Sequence, residues 1–116
     1  ATEAEVTMYS YEETAYTGKV YPTDKYFPTW LLEAEHPAIR SAVTAYQGLF
    51  AAAPTVAKWV FSTNGVAICG MHGIPCFGFG PGEERHAHAP NEYNTIDDLV
   101  RCTAFYAAWP LAFLGR

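Results

Sequence analysis

Residues 3 to 11 alternate in character, with Val6 and Met8 on one side and Glu5, Thr7, Tyr9 and Tyr11 on the other. A period of two belongs to a half-buried strand, so a strand with a tyrosine face is expected here. Gly18, Pro22, Asp24 and Pro28 follow among Tyr16, Tyr21, Tyr26 and Phe27, a mixture that argues against helix and for an extended connection anchored by rings. Pro37 suits a first helical position, where its missing N–H costs nothing, and Ile39, Val43, Tyr46 and Phe50 then form one apolar stripe. A helix is predicted over about 37 to 51, ending in the Ala-rich run before Pro54.

Residues 58 to 61 form a short β-prone run. Ser62 or Thr63 is placed to cap a brief helix across Val66 to Met71, and residues 74 to 79 form a second apolar run between Gly73 and Gly80. Strand, helix, strand is the expectation, with the second strand covered on both faces as in an α/β sheet. Residues 80 to 94 hold Gly, Pro, His and Asn and read as a loop. Thr95 precedes Ile96 with Asp98 three residues on, a carboxylate variant of the capping box, which opens a final helix over about 96 to 113. Ile96, Val100, Thr103, Ala107 and Leu111 are its expected inward stripe, and Pro110 is expected to kink it or end it early.

The chain has 116 residues, enough for one core, with hydrophobic residues at 50% and charged residues at 16% against a usual ~25%. So small a domain must expose much of its surface, and with this composition some of that surface is expected to be covered by something else. The net charge of −5, with no cluster of Lys or Arg, would be repelled by a phosphate backbone, so nucleic acid is not an expected partner. The longest uncharged stretch, residues 59 to 82, contains six Gly and two Pro, which excludes a membrane span. No signal peptide is expected, and Cys69, Cys76 and Cys102 are odd in number without a C-x-x-C spacing. A disulfide framework is therefore not expected, and a reducing cytoplasm is the expected compartment.

The densest polar cluster runs from Gly80 to Glu92, directly after the apolar run, where an open α/β sheet binds its ligands. His86, His88 and three carboxylates there suit a metal or proton transfer, but they suit a solvated loop paired with Arg85 equally well. The glycines 78, 80 and 82 do not make a dinucleotide motif, because the third glycine would fall at Glu83 and Pro81 has no N–H to offer a phosphate. Neither a phosphate loop nor a serine nucleophile elbow is present, since Ser62 lies between Phe61 and Thr63 without the flanking glycines. The cysteines are expected to be inert packed thiols, and the tyrosines at 9, 11, 16 and 21 to pack between bodies.

Taken in order, Phe61-Ser62-Thr63-Asn64-Gly65, Gly73-Ile74-Pro75, Gly78-Phe79-Gly80-Pro81-Gly82, His88-Ala89-Pro90-Asn91-Glu92-Tyr93 and Ile96-Asp97-Asp98-Leu99 resemble the carboxyl-terminal part of the di-zinc peptidase and deacylase family. That family includes succinyl-diaminopimelate desuccinylase, acetylornithine deacetylase, aminoacylases and glutamate carboxypeptidases, and the chain is most similar to its selenium-metabolism-associated hydrolases. The resemblance implies an α/β fold in which residues 1–33 are the last strand of a lid (dimerisation) domain and the return linker. Residues 34–116 would be the carboxyl-terminal segment of the catalytic domain. It also implies that His88 is the family's last metal ligand, that His86 has no counterpart, and that Ser62, Thr63 and Asn64 form a substrate-side turn holding a carboxylate or carbonyl oxygen. Asn64 stands where the family has Asp, which puts any charge-dependent role of that turn in doubt.

The same resemblance implies two zinc ions held mainly by an upstream His-x-Asp, a bridging Asp, a Glu-Glu pair containing the general base, and one further carboxylate. No His-x-Asp occurs in the chain, and Glu12-Glu13 and Glu83-Glu84 lie in the wrong places for the catalytic pair. With His88 alone, no catalytic residue and no stably bound zinc are expected, because catalytic zinc takes at least three protein ligands. The chain begins with Ala, and it is expected to be an inactive fragment of a hydrolase of amide or peptide bonds in small carboxylate-bearing molecules. Its partners would be the remainder of its own polypeptide, a small-molecule substrate and, for the intact protein, a second copy. The rival expectations are a pseudo-enzyme that lost its metal and an interaction module docking through the tyrosine-rich segment.

Overall fold

The computed structural model describes residues 3–115. It is a small mixed helix and strand structure. A hairpin, β1 (Ser10–Tyr11) and β2 (Thr23–Asp24), precedes helix α1 (Pro37–Phe50), a π-helical turn (Val66–Met71), a 3-10 turn (Glu84–His86) and helix α2 (Ile96–Phe113). Among the described residues no helix is long and apolar enough to cross a membrane.

Helix α1 begins where its sequence says it should. His36 is the N-cap, its Nδ1 accepting from the Ala38 N–H at 3.2 Å, with Pro37 at the first helical position. It ends at Ala51, which takes the left-handed conformation (φ 51°) and donates its N–H to the Gln47 carbonyl. Thr95 caps α2 by accepting from the Asp98 N–H at 3.0 Å, and its own hydroxyl donates to Asp98 Oδ2 at 2.7 Å. The capping-box partner thus reaches the cap hydroxyl, while Asp97 and Asp98 favour the positive end of the helix dipole. Pro110 does not end α2, which runs on to Phe113. So near the helix end, a proline removes one backbone bond and little remains beyond it to kink.

The inward faces differ from those expected. In α1 the buried residues are Ala38, Ala42 and Ala45, a stripe of the same period displaced by one position, and Ile39, Val43, Tyr46 and Phe50 flank it half-buried. Small side chains there admit bulky rings from across the interface. In α2 the buried residues are Cys102 and Phe105, joined by Trp109 and Ala112. The expected stripe faces outward: Ile96 is 77% exposed, Val100 62% and Leu111 53%, with Thr103 and Ala107 also exposed. Both faces of α2 are apolar enough to be buried, so periodicity alone could not choose between them.

The core sits between the helices and the segment around Phe77 and Phe79. These two residues, two apart, both pack on Phe105, the period of an extended chain. Phe105 is 2% exposed, with its ring centroid 4.1 Å from that of Phe79. Trp109 stacks edge-on to Phe77 at 5.1 Å and donates its Nε1–H to Ser41 Oγ at 3.0 Å, tying α2 to α1. Arg101 of α2 lies over the Phe50 ring at 4.1 Å, a second tie between the helices.

Residues 58–61 and 74–79 do not form the expected strands, because neither has a ladder partner among the described residues. A strand is defined by its neighbour, and here the sheet edges are unfilled. The N-terminal alternation also yields only the two residues of β1, paired antiparallel with β2 in the register Ser10↔Asp24 and Tyr11↔Thr23. Val6 is 96% exposed, so the expected inward face of that segment meets nothing.

The accessible surface is 9577 Å². A compact monomer of 12.8 kDa would expose about 6,300 Å². The radius of gyration, 18.8 Å, likewise exceeds the ~13 Å of a compact domain of this length. Much apolar surface of this chain therefore lies open, chiefly on the hairpin, the outer face of α2 and the 58–61 segment.

Candidate functional site

The turn that precedes the π-helix is built from residues 62–65. Thr63 Oγ1 accepts from the Gly65 N–H at 3.1 Å, and the Thr63 and Asn64 carbonyls accept the first amides of the π-helix, those of Val66, Ala67 and Ile68. The short helix expected over Val66 to Met71 is present, as a π-helix, but neither Ser62 nor Thr63 caps it: the N-cap is Gly65, without a side-chain cap bond, and Thr63 Oγ1 instead holds the Gly65 N–H in the turn before it. Among the described residues the Ser62 hydroxyl and the Asn64 side-chain amide make no intramolecular hydrogen bond, which leaves both free to bind a ligand.

A segment the sequence reading did not associate with this turn holds it in place. The Trp30 ring lies directly on the Cα of Gly65, so that a Cβ there would stand 3.0 Å from Trp30 Cε2 and closer still to Cζ2 and Cη2. At Gly70 a Cβ would lie 2.6 Å from the Pro28 carbonyl oxygen. Trp30 Nε1–H also donates to the Cys76 carbonyl at 3.4 Å. Two glycines thus make seats for a strap formed by residues 27–30.

An open concavity of about 380 Å³ lies here, with Ser62, Thr63 and Asn64 on a polar edge and Phe27 of the strap, Val66 and Met71 on an apolar wall. π-Helical turns recur at functional sites because the widened backbone carries its side chains out of ordinary helical register.

His88 stands nearby. It takes a left-handed backbone (φ 58°), as does Asn91 (φ 61°), and its N–H donates to Glu92 Oε2 at 3.1 Å. Its ring packs edge-on to Phe61 at 5.9 Å, the residue immediately before the Ser62 turn. The expected metal-ligating residue thus touches the residue that precedes the expected substrate turn, with no hydrogen bond between His88 and residues 62–64 among the described residues. His86 is engaged elsewhere: its ring lies 4.7 Å from that of Tyr93, and its Nε2 accepts from Arg85 Nε at 3.3 Å. Arg85 also pairs with Glu83 at 2.7 Å, an exposed pair of small energetic consequence.

Among the described residues no three His, Cys, Asp or Glu side chains are grouped to hold a metal ion. The donor set of this chain alone does not fit a zinc site. The thiols are packed rather than poised. Burial pushes the Cys76 thiol above its ordinary range, with Cys69 beside it adding to the effect. Burial does the same at Cys102, with the Asp98 carboxylate adding and Arg101 opposing.

The family model described as "Peptidase family M20/M25/M40" matches residues 10–112. The chain is 57% identical over 112 residues to "Uncharacterized protein YgeY" of Escherichia coli (strain K12), covering 97% of this chain and 28% of that protein. It is 27% identical over 90 residues to "N-formyl-4-amino-5-aminomethyl-2-methylpyrimidine deformylase" of Bacillus subtilis (strain 168), covering 78% of this chain and 21% of that protein. The chain thus spans just over a quarter of the length of the first of these relatives. No solved structure matches it.

Proposed function

Because this chain belongs to the M20/M25/M40 peptidase family, we propose that it is the part of a hydrolase that presents one metal ligand and a substrate-binding turn. The whole protein cleaves an amide or peptide bond in a small molecule bearing a carboxylate. The deformylase name of one relative supports amide cleavage, since removing a formyl group from nitrogen breaks an amide. The observation that carries the proposal is the Phe61–His88 contact, which brings the His88 ring to the residue that precedes the Ser62-Thr63-Asn64 turn.

In this reading the free Ser62 hydroxyl and the Asn64 amide donate to a carboxylate or carbonyl oxygen. The neutral Asn64 gives hydrogen bonds without charge. His88 is offered to a zinc centre whose remaining ligands, and the general base, lie in the rest of the polypeptide. The outer face of α2 and the 58–61 and 74–79 segments are where that remainder seats, filling the sheet edges left open here. The intact protein is a homodimer through its lid domain, of which residues 1–33 are the end.

The experiment is hydrolysis of a panel of N-acyl amino acids and dipeptides by the complete polypeptide. Turnover abolished by a chelator and restored by zinc is the expected result. Absence of turnover of every amide with a full complement of metal would overturn the reading.

A further inference from the structure

The concavity beside the Ser62 turn has a polar edge and an apolar wall, and the wall comes from two distant parts of the chain. Val66 and Met71 lie at the two ends of the π-helical turn, while Phe27 belongs to the strap. Phe27 is 59% exposed and Met71 54%, so neither is spent on the core. An aromatic ring left out of the core in a loop would ordinarily be free to move. Here the next residues fix its position: the Pro28 carbonyl sits on Gly70, and Trp30 sits on Gly65 and donates to the Cys76 carbonyl. The strap thus costs the chain two side-chain-free positions and holds Phe27 at the rim of the site.

We propose that Phe27 and Met71 are specificity-determining residues that select an apolar side chain on the carboxylate-bearing half of the substrate. The proposal rests on the reading of the Ser62 turn as the carboxylate's seat. A carboxylate and a side chain share one α-carbon, so a substrate anchored at Ser62 and Asn64 carries its side chain on the carbon next to the anchored carboxylate. The space beside the turn is walled by Val66, Met71 and Phe27, with no charged side chain among its lining residues. A concavity of about 380 Å³ lies within the usual range for small-molecule sites. N-acyl derivatives of leucine-like amino acids fit it, whereas those of aspartate or lysine would bury a charge against carbon.

Two measurements on the complete polypeptide test this. The first is the ratio of kcat/KM for N-acetylleucine over N-acetylalanine. Wild type is expected to favour leucine about 10-fold or more, since apolar pockets discriminate by roughly that factor per methylene. Phe27→Ala should bring the ratio close to unity, Phe27→Leu should restore part of it, and an unchanged ratio in Phe27→Ala would overturn the proposal. The second needs no turnover. In spectra of protein labelled with 13C-methyl methionine, assigned with Met71→Leu, the Met71 resonance should shift on titration with N-acetylleucine and at least 10-fold less readily with N-acetylalanine. A Met71 resonance indifferent to both overturns the proposal even if the protein is an active hydrolase. A leucine-selective shift in a protein that hydrolyses no amide supports the subsite and sinks the hydrolase reading.

Discussion

Replacing Gly65 with alanine tests the contact on which the placement of the Ser62-Thr63-Asn64 turn depends. Gly65 has φ −57° and ψ −26°, an ordinary right-handed conformation, so a methyl group there carries no backbone strain. By itself the change should stabilise the turn by roughly 0.4 to 1 kcal/mol through the unfolded chain. The opposing effect is steric, because the new Cβ would stand 3.0 Å from Trp30 Cε2 and nearer to two further ring atoms. The indole, also bonded to the Cys76 carbonyl, has to leave its seat, and overpacking of that kind costs about 1 to 3 kcal/mol. The net expectation is a loss of about 1 to 2 kcal/mol. In a Trp30→Ala background the steric cost vanishes and Gly65→Ala becomes neutral or slightly stabilising. Urea unfolding followed by far-ultraviolet circular dichroism on the four proteins of the cycle gives the coupling, expected at about 1 to 3 kcal/mol with the double variant more stable than the two single effects predict. An equal cost of Gly65→Ala in both backgrounds would refute the strap.

Phe105→Ala should destabilise by about 3 to 5 kcal/mol, because a side chain 2% exposed and packed on Phe77 and Phe79 leaves a cavity, and the same urea assay reads it. A loss under 1 kcal/mol would mean that the core lies elsewhere. The raised Cys102 thiol pKa makes stability pH-dependent: the folded state holds that proton more tightly than the unfolded one. Its contribution is therefore complete below the unfolded thiol pKa and is lost as pH rises through the folded one. The alkaline fall in melting temperature should be smaller in Cys102→Ala than in the parent, and an identical fall in both would contradict the assignment.

The helices were legible because their signals are local. Pro37 after His36, and Thr95 three residues before Asp98, each fix a helix start within one turn of chain. The inward face of α2 was not, since Ile96, Val100 and Leu111 are as apolar as Cys102, Phe105 and Trp109, and only the partner decides which set is covered. The strands over 58–61 and 74–79 depend on neighbours that the described residues do not supply. The Ser62 turn and His88 were singled out through a resemblance of ordered motifs, and the contact between Phe61 and His88 needed coordinates. The strap stayed hidden because Gly65 and Gly70 acquire their meaning from Trp30 and Pro28, more than thirty residues upstream.

The central claim is that this chain delivers one imidazole to a metal centre completed by the rest of its polypeptide. The most direct measurement is the zinc content of the complete protein by elemental analysis, in wild type, His88→Ala and His86→Ala, with amide turnover recorded on the same samples. The account predicts that zinc and turnover fall together in His88→Ala and hold in His86→Ala, whose ring is engaged with Arg85 and Tyr93. Unchanged zinc and turnover in His88→Ala would contradict it.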